Sequence, residues 1–293
     1  MKTSEELKNI VREKYSQIAE QDKALNQSSC CGSGAASTEV YNIMTDDYSD
    51  IQGYNTDADL GLGCGLPTKF AHIQPGDTVI DLGSGAGNDC FIARHETGET
   101  GKVIGIDFTS AMIQKARINA DKLGFNNVEF REGDIEEIPV SDNMADVVVS
   151  NCVLNLVPNK QKVISEIFRV LKSGGHFSIS DIVLVGDLPQ ALQEDAEMYA
   201  GCISGAIQKK EYLGFIKESG FEEITLQKEK AIEIPNDILG KYLSAEEINE
   251  FNSGKTGIFS ITVFAQKPGK KKQKIQLKEL ESGATCAPGS GCC

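Results

Sequence analysis

The chain has 293 residues, of which 29 are Lys or Arg and 43 Asp or Glu, for a net charge of −14; 40% of residues are hydrophobic and 25% charged. This balance belongs to a globular chain rather than a disordered one, and the acidic excess argues against nucleic acid or an anionic membrane as partner, because phosphate binding needs clustered cations. No apolar run reaches the roughly 20 residues that span a bilayer, and the opening MKTSEELKNI lacks the apolar stretch of a secretory leader, so a cytoplasmic location is expected.

In chain order, residues 4–25 predict an amphipathic helix, with Leu7, Ile10, Val11, Tyr15 and Ile18 at helical spacing and Thr3 with Glu6 as a capping box. SSCCGSGAAST (28–38) is small and polar and reads as a mobile loop, and residues 39–70 show little periodicity before the glycine-rich LGLGCGLP. From Thr78 strands and helices alternate. Strands are expected at 78–82, 102–107, 128–131, 145–150 and 177–184. Helices are expected at 110–123, with Ser110 as N-cap and Gly124 as stop, and at 161–172, with Ile164, Ile167, Phe168 and Leu171 on one face. Such alternation implies an α/β fold with a doubly wound parallel sheet and right-handed crossovers. Runs at 223–228 and 258–266 lack a full crossover helix between them and fit an antiparallel pair closing the sheet. The expected division is an N-terminal helix with thiol-bearing loops (1–70), a core (71–267) and a disordered tail (268–293). The tail holds Lys270, Lys271, Lys272 and Lys274 and then a Gly/Ser/Cys-rich end.

Asp81-Leu-Gly83-Ser84-Gly85-Ala-Gly87 follows the first strand and precedes a helix. Glycines there permit a tight turn and let a ligand approach the backbone. A dinucleotide fold shows GxGxxG, whereas the spacing here is GxGxG with an acid before it. Asp81 repels a pyrophosphate but pairs with an amino-acid ammonium. Asp107 ends the second strand, 26 positions further on, where an acid accepts from both ribose hydroxyls. Asp134, in Gly133-Asp134-Ile135 after the third strand, is placed to accept from the adenine amine. Ribose, adenine and an amino-acid end together describe S-adenosylmethionine rather than NAD. Asp81, Gly83, Ser84, Gly85, Gly87, Asp107, Asp134, Ile135 and Asn151 are therefore the expected cofactor-binding residues.

Nine cysteines form neither CxxC pairs nor a zinc spacing. They comprise the doublets Cys30–Cys31 and Cys292–Cys293 and singles at Cys64, Cys90, Cys152, Cys202 and Cys286. In a reducing compartment they stay free thiols. Cys152 follows the fourth strand, hence the cleft mouth; Cys202 lies in a covering segment after the fifth; glycines on both sides are expected to leave Cys64 accessible. Cys90, inside a helix, reads as a small apolar core residue.

SNCVLNLVPNKQKVISEIFRVLKSGGHF (150–177), LGCGLP (62–67), DLGSGAGNDC (81–90) and YAGCISGA (199–206) together resemble the arsenite methyltransferases. The resemblance implies a Rossmann-like methyltransferase fold with a mostly parallel seven-stranded sheet, N-terminal helical and loop additions and C-terminal additions, serving arsenic detoxification. It also implies four thiol positions: Cys64, Cys152 and Cys202 as catalytic, and Cys30 or Cys31 for loading, with the member of the doublet left open. Arsenite or its glutathione conjugate is the implied substrate, and glutathione or a thioredoxin the implied reductant. No metal beyond the arsenic itself is expected. Asn159 and Ser173 stand where the family more often shows Asp and Pro. Soft trivalent arsenic prefers thiolate sulfur, and a thiolate-held arsenic lone pair needs no general base, in keeping with three scattered histidines (His72, His95, His176). Two rivals remain at this point: a methyltransferase for a small organic metabolite, and a non-catalytic thiol protein binding soft metals.

Overall fold

The computed structural model describes residues 3–20, 46–194, 202–253 and 256–269. Its strands are β1 (Thr78–Leu82), β2 (Lys102–Asp107), β3 (Val128–Glu132), β4 (Ala145–Asn151), β5 (Leu171–Val185), β6 (Ile207–Gln208), β7 (Glu222–Ile232) and β8 (Gly257–Gln266). They form one sheet in the order β3-β2-β1-β4-β5-β8-β7, with β6 paired to β5 off this path. The pairs from β3 to β5 are parallel, and β5–β8 and β7–β8 are antiparallel. The expected closing pair is thus present, and β6 is an eighth, two-residue strand that the sequence pattern did not announce.

Successive side chains of a strand point to opposite faces, and here they enter different cores. Ile80 and Leu82 pack with Ile104, Ile106 and Phe177, while Val79 packs with Val103, Val147 and Phe91 on the other side. Full burial of one such side chain contributes about 1.5–3 kcal/mol. The covering helices include α1 (Ser4–Ala19), α2 (Pro67–Phe70), α3 (Asn88–Thr97), α4 (Ser110–Leu123), α5 (Lys160–Val170), α6 (Gln190–Glu194) and α7 (Lys209–Glu218). The chain runs from β1 outward to β3 and then returns to β4 on the other side of β1. Strand order reverses there, and in such sheets ligands bind outside the carboxyl ends of the strands.

β5 and β7 run beyond the expected 177–184 and 223–228, and three helix boundaries differ from expectation. α1 has its capping box, Thr3 with Glu6, but ends at Ala19; the apolar periodicity also stops at Ile18, and residues 21–45 lie outside the described residues. α4 starts at Ser110, yet its N-cap is Thr109, one residue earlier. α5 ends at Val170, and Leu171 passes directly into β5. Leu171 is buried as a strand residue, pairing with Ala145, so its apolar character served the sheet and not the helix face. Asn159 is the N-cap of α5, its Oδ1 accepting the Lys162 N–H at 3.0 Å, and Ser173 Oγ donates to Pro268 O at 3.0 Å. The doublet Cys30–Cys31, the lysines from Lys270 onward, and Cys286, Cys292 and Cys293 lie outside the described residues. No helix among those described is long and apolar enough to cross a membrane.

Candidate active site

The carboxyl ends of β1, β2 and β4 open onto a cavity of about 1040 Å3 that is continuous with solvent. Its floor is the glycine turn. Gly83 and Gly85 have φ of 69° and 50°, a region that L side chains rarely enter. A side chain at Gly83 would sit 2.3 Å from Val153 Cγ2, whereas one at Gly85 would meet nothing within 4 Å. The turn is therefore packed against the β4 loop on one side and open to the cavity on the other.

Asp81 is 1% exposed, and its Oδ2 accepts the Cys90 thiol at 3.2 Å. Burial first, and then the neighbouring Asp89, pushes its carboxyl well above the usual range, as expected of an acid that lacks a cation. Cys90 is buried, as expected for a core residue, but it also orients this carboxylate. Asp107 accepts Gly85 N–H at 3.0 Å on Oδ2 and Thr109 N–H at 2.9 Å on Oδ1. Each oxygen thus keeps a lone pair for a hydroxyl on the cavity side. Asp134 caps the short turn Ile135–Glu137, taking the Glu136 N–H at 2.8 Å, and its other oxygen is held by Lys8 Nζ at 2.6 Å. Ile135 forms an apolar wall beside it.

Cys152 leaves β4 in the left-handed region, φ 61°, with its N–H donated to Ser180 O at 2.8 Å. Cys202 is also left-handed, φ 66°, and its Sγ donates to Cys152 O at 2.9 Å. Non-glycine residues seldom adopt this conformation, and where they do the surrounding structure imposes it. The Cys152 thiol lies beside those of Cys64 and Cys202, near enough for both to act on its ionisation, and it lines the cofactor cavity. Burial pushes the Cys64 thiol up to about 11 and that of Cys152 well above its ordinary value. Thiols far apart in the chain, with Cys202 50 positions beyond Cys152, are thus brought together. They do not form a ready-made metal cluster: among the described residues no such group of three His, Cys, Asp or Glu is present.

One expectation is corrected. Cys64 is not accessible but fully buried, at 0% exposure. Its glycines serve close packing instead: a side chain at Gly63 would lie 2.6 Å from Asn151 Nδ2, and one at Gly65 2.4 Å from Ser180 Oγ. Ser260 Oγ fastens the Cys64 carbonyl at 2.5 Å.

The Methyltransferase domain family matches residues 73–220. The arsenite methyltransferase of Halobacterium salinarum is 39% identical over 263 residues, covering 83% of this chain and 66% of that protein. The arsenite methyltransferase of Aquipseudomonas alcaligenes is 30% identical, covering 80% and 67%. The chain belongs to the arsenite methyltransferase family. Among solved structures, the arsenic(III) S-adenosylmethionine methyltransferase of Chlamydomonas reinhardtii is 32% identical with a TM-score of 0.59, covering 70% of this chain and 68% of that one. The chain therefore spans about two thirds of the length of these family members.

The cofactor of this arsenite methyltransferase family member is S-adenosylmethionine, and the cleft fits it. Ser84 Oγ is buried without a partner among the described residues, Gly85 faces open space, and Asp81 is a buried acid on the cavity wall. The sequence pattern missed four residues of the site. Lys8 and Tyr15 of α1 line the cavity together with Val11. Lys8 pairs with Asp134 and also with Glu136, while Tyr15 is half-buried beside the three thiols and Asp107. A lysine at helical spacing from the apolar face was the only available signal. Asp89, an acid in the first turn of α3, and Tyr48 line the cavity on the side of Asp81, 3.0 Å apart. The histidines stand elsewhere: His95 Nε2 meets Gln52 Oε1 at 2.8 Å, His176 Nε2 meets Ala71 O at 2.6 Å, and His72 packs on Phe264.

Proposed function

We propose that this chain transfers methyl groups from S-adenosylmethionine to trivalent arsenic held on its own thiols. The observation that carries the reading is the gathering of Cys64 and Cys202 around Cys152, which itself lines the cofactor cavity; Cys152 and Cys202 are held in left-handed backbone. The names borne by its relatives support the same substrate.

Asp107 and Asp134 would hold the nucleoside, with Ile135 beside the base, and Asp81 with Ser84 the amino-acid end. When bound, the cofactor supplies an electrophilic methyl group. The protein's part is positioning. Cys152 and Cys202 fix the metalloid so that its lone pair faces the cleft, and Cys64 adds a third sulfur on arsenite and serves as reductant once a methyl group has taken that valence. No histidine lines the cavity, in keeping with chemistry that needs no general base. Methyl transfer oxidises arsenic from the trivalent to the pentavalent state. Two electrons return when a pair of thiols closes to a disulfide, which glutathione or a thioredoxin then reduces. The Cys30–Cys31 doublet would load arsenite or its glutathione conjugate. Free thiols of this kind belong in a reducing compartment, and we place the protein in the cytoplasm.

The test is direct: arsenite, labelled cofactor and a thiol are supplied, and the arsenic species are separated. Labelled methylarsenic is expected. Label found only on an organic acceptor, or cofactor binding without transfer, would overturn the reading.

Loading has its own signature. With Cys64 pushed up to about 11 and Cys152 well above its ordinary value, these two thiols are protonated near neutrality. Each As–S bond that replaces an As–OH bond sends the thiol proton onto the departing hydroxide as water, so no proton reaches the buffer. The calorimetric enthalpy of arsenite binding at pH 7 is expected to be the same in buffers of different ionisation enthalpy. A divalent cation, which must expel protons to form thiolate bonds, would show buffer dependence.

A further inference from the structure

A continuous hydrogen-bonded path, marked by no sequence motif, runs between the cofactor cleft and the thiols. Asp89 lines the cleft. Tyr48 Oη lies 3.0 Å from Asp89 Oδ2 and 3.1 Å from Gly65 O. Asn151 Nδ2 contacts Tyr48 Oη, lies 2.9 Å from Gly65 O and is 3.3 Å from Asp89 Oδ2. Asn151 Oδ1 then accepts the N–H of Cys64 at 3.0 Å, and the next residue is Cys152. The path has no slack, because Gly63 and Gly65 press against Asn151 and Ser180 at distances that exclude a side chain. Tyr48 itself is 4% exposed.

We infer that Tyr48 and Asn151 are positioning residues that couple the two sites, so that cofactor and metalloid each bind more tightly when the other is present. The inference rests on the function proposed above. Asp89 is half-buried beside the buried Asp81 and Asp59, and like charges oppose its ionisation. An ammonium group bound beside it relieves that opposition. Ionised Asp89 then draws Tyr48 and Asn151 into charge-assisted hydrogen bonds, and through Asn151 Oδ1 and Gly65 the Cys64 backbone is fixed beside Cys152. A buried polar network in low dielectric responds as a unit, and coupling in one direction requires equal coupling in the other.

The experiment measures arsenite affinity of the full chain by calorimetry at about pH 5, below the value of about 6 to which Asp89 is raised, with and without saturating S-adenosylhomocysteine, which retains the ammonium group. Wild-type affinity is expected to tighten about tenfold with the nucleoside bound, within the usual range of such couplings. Tyr48→Phe removes the shared hydroxyl and is expected to bring the ratio close to one. Thr68→Val removes a different donor to Asp89, 3.2 Å from Oδ1, but is off the path and is expected to keep the wild-type ratio. No tightening in the wild type, or tightening that survives Tyr48→Phe, would overturn the inference. Should Tyr48→Phe not fold, hydrogen exchange of the wild type decides it: S-adenosylhomocysteine is expected to slow exchange at the Cys64 N–H severalfold, and an unchanged rate contradicts the coupling. A wild-type chain that binds the nucleoside but no arsenite would count against the proposed function, and exchange at Cys64 would still decide the path.

Discussion

Cys152→Ser and Cys202→Ser are each expected to abolish methylation of both arsenite and monomethylarsenite, by at least about a hundredfold, the loss that follows when a reacting centre is no longer held in place. Cys152 lies on the cavity wall, and Cys202 is tied to its carbonyl at 2.9 Å. Two sulfurs are the fewest that orient the arsenic lone pair. Once arsenic carries a methyl group it has one valence fewer for sulfur. Cys64→Ser, and the double change Cys30→Ser/Cys31→Ser, are therefore expected to harm arsenite methylation far more than that of the monomethyl substrate. Chromatographic speciation of products on the two substrates checks the ranking. Melting temperature and S-adenosylhomocysteine affinity, measured on the same variants, separate a lost ligand from a damaged fold. Robust arsenite methylation by Cys152→Ser would sink the thiolate mechanism.

The second large effect belongs to the cofactor cleft. Asp107→Ala is expected to weaken cofactor binding by about ten- to a hundredfold, the worth of a charge-assisted hydrogen bond of ~1.5–3 kcal/mol. Part of that loss arises in the protein itself, because Asp107 also holds the Gly85 and Thr109 N–H groups. Asp107→Asn keeps one acceptor oxygen and should retain more affinity than the alanine variant. The pH dependence follows from Asp89, whose carboxyl burial pushes up to about 6, against the lowering pull of hydrogen bonds from Tyr48, Asn151 and Thr68 and with a further push from Asp59. A raised carboxyl is neutral below that value and ionised above it. Affinity for a ligand with net positive charge should therefore rise as pH increases through about 6. Calorimetric titration with S-adenosylmethionine at several pH values measures both effects, and an affinity indifferent to Asp107→Ala would count decisively against its assignment.

The parts of this protein that follow local rules were legible before any coordinates. Strand, turn and helix around Asp81 to Gly87 announce themselves by period and glycine, and strand-end logic put Asp107 and Cys152 at the cleft. What escaped was set by distance along the chain or by competition between elements. Lys8 reaches Asp134 across 126 positions, and no local pattern carries that information. Leu171 suits a helix face and a strand equally, and the pairing with Ala145 decided for the strand. The glycines beside Cys64 signalled a tight approach of backbone to Asn151 and Ser180, which sequence alone does not distinguish from freedom at an exposed thiol. Cys90 was legible as a core residue but not as the donor to Asp81, because a buried thiol shows its hydrogen bond only once its neighbour is known.

The claim that everything else serves is that Cys64, Cys152 and Cys202 hold the metalloid together. X-ray absorption at the arsenic edge, on the full chain carrying one equivalent of arsenite and saturating S-adenosylhomocysteine, reads that coordination directly. With Cys30 and Cys31 changed to serine, so that the doublet contributes nothing, a shell of sulfur alone is expected, and a further Cys64→Ser change should replace one sulfur by oxygen. A shell that retains oxygen while all three thiols are intact, or one that is indifferent to Cys152→Ser, would contradict it.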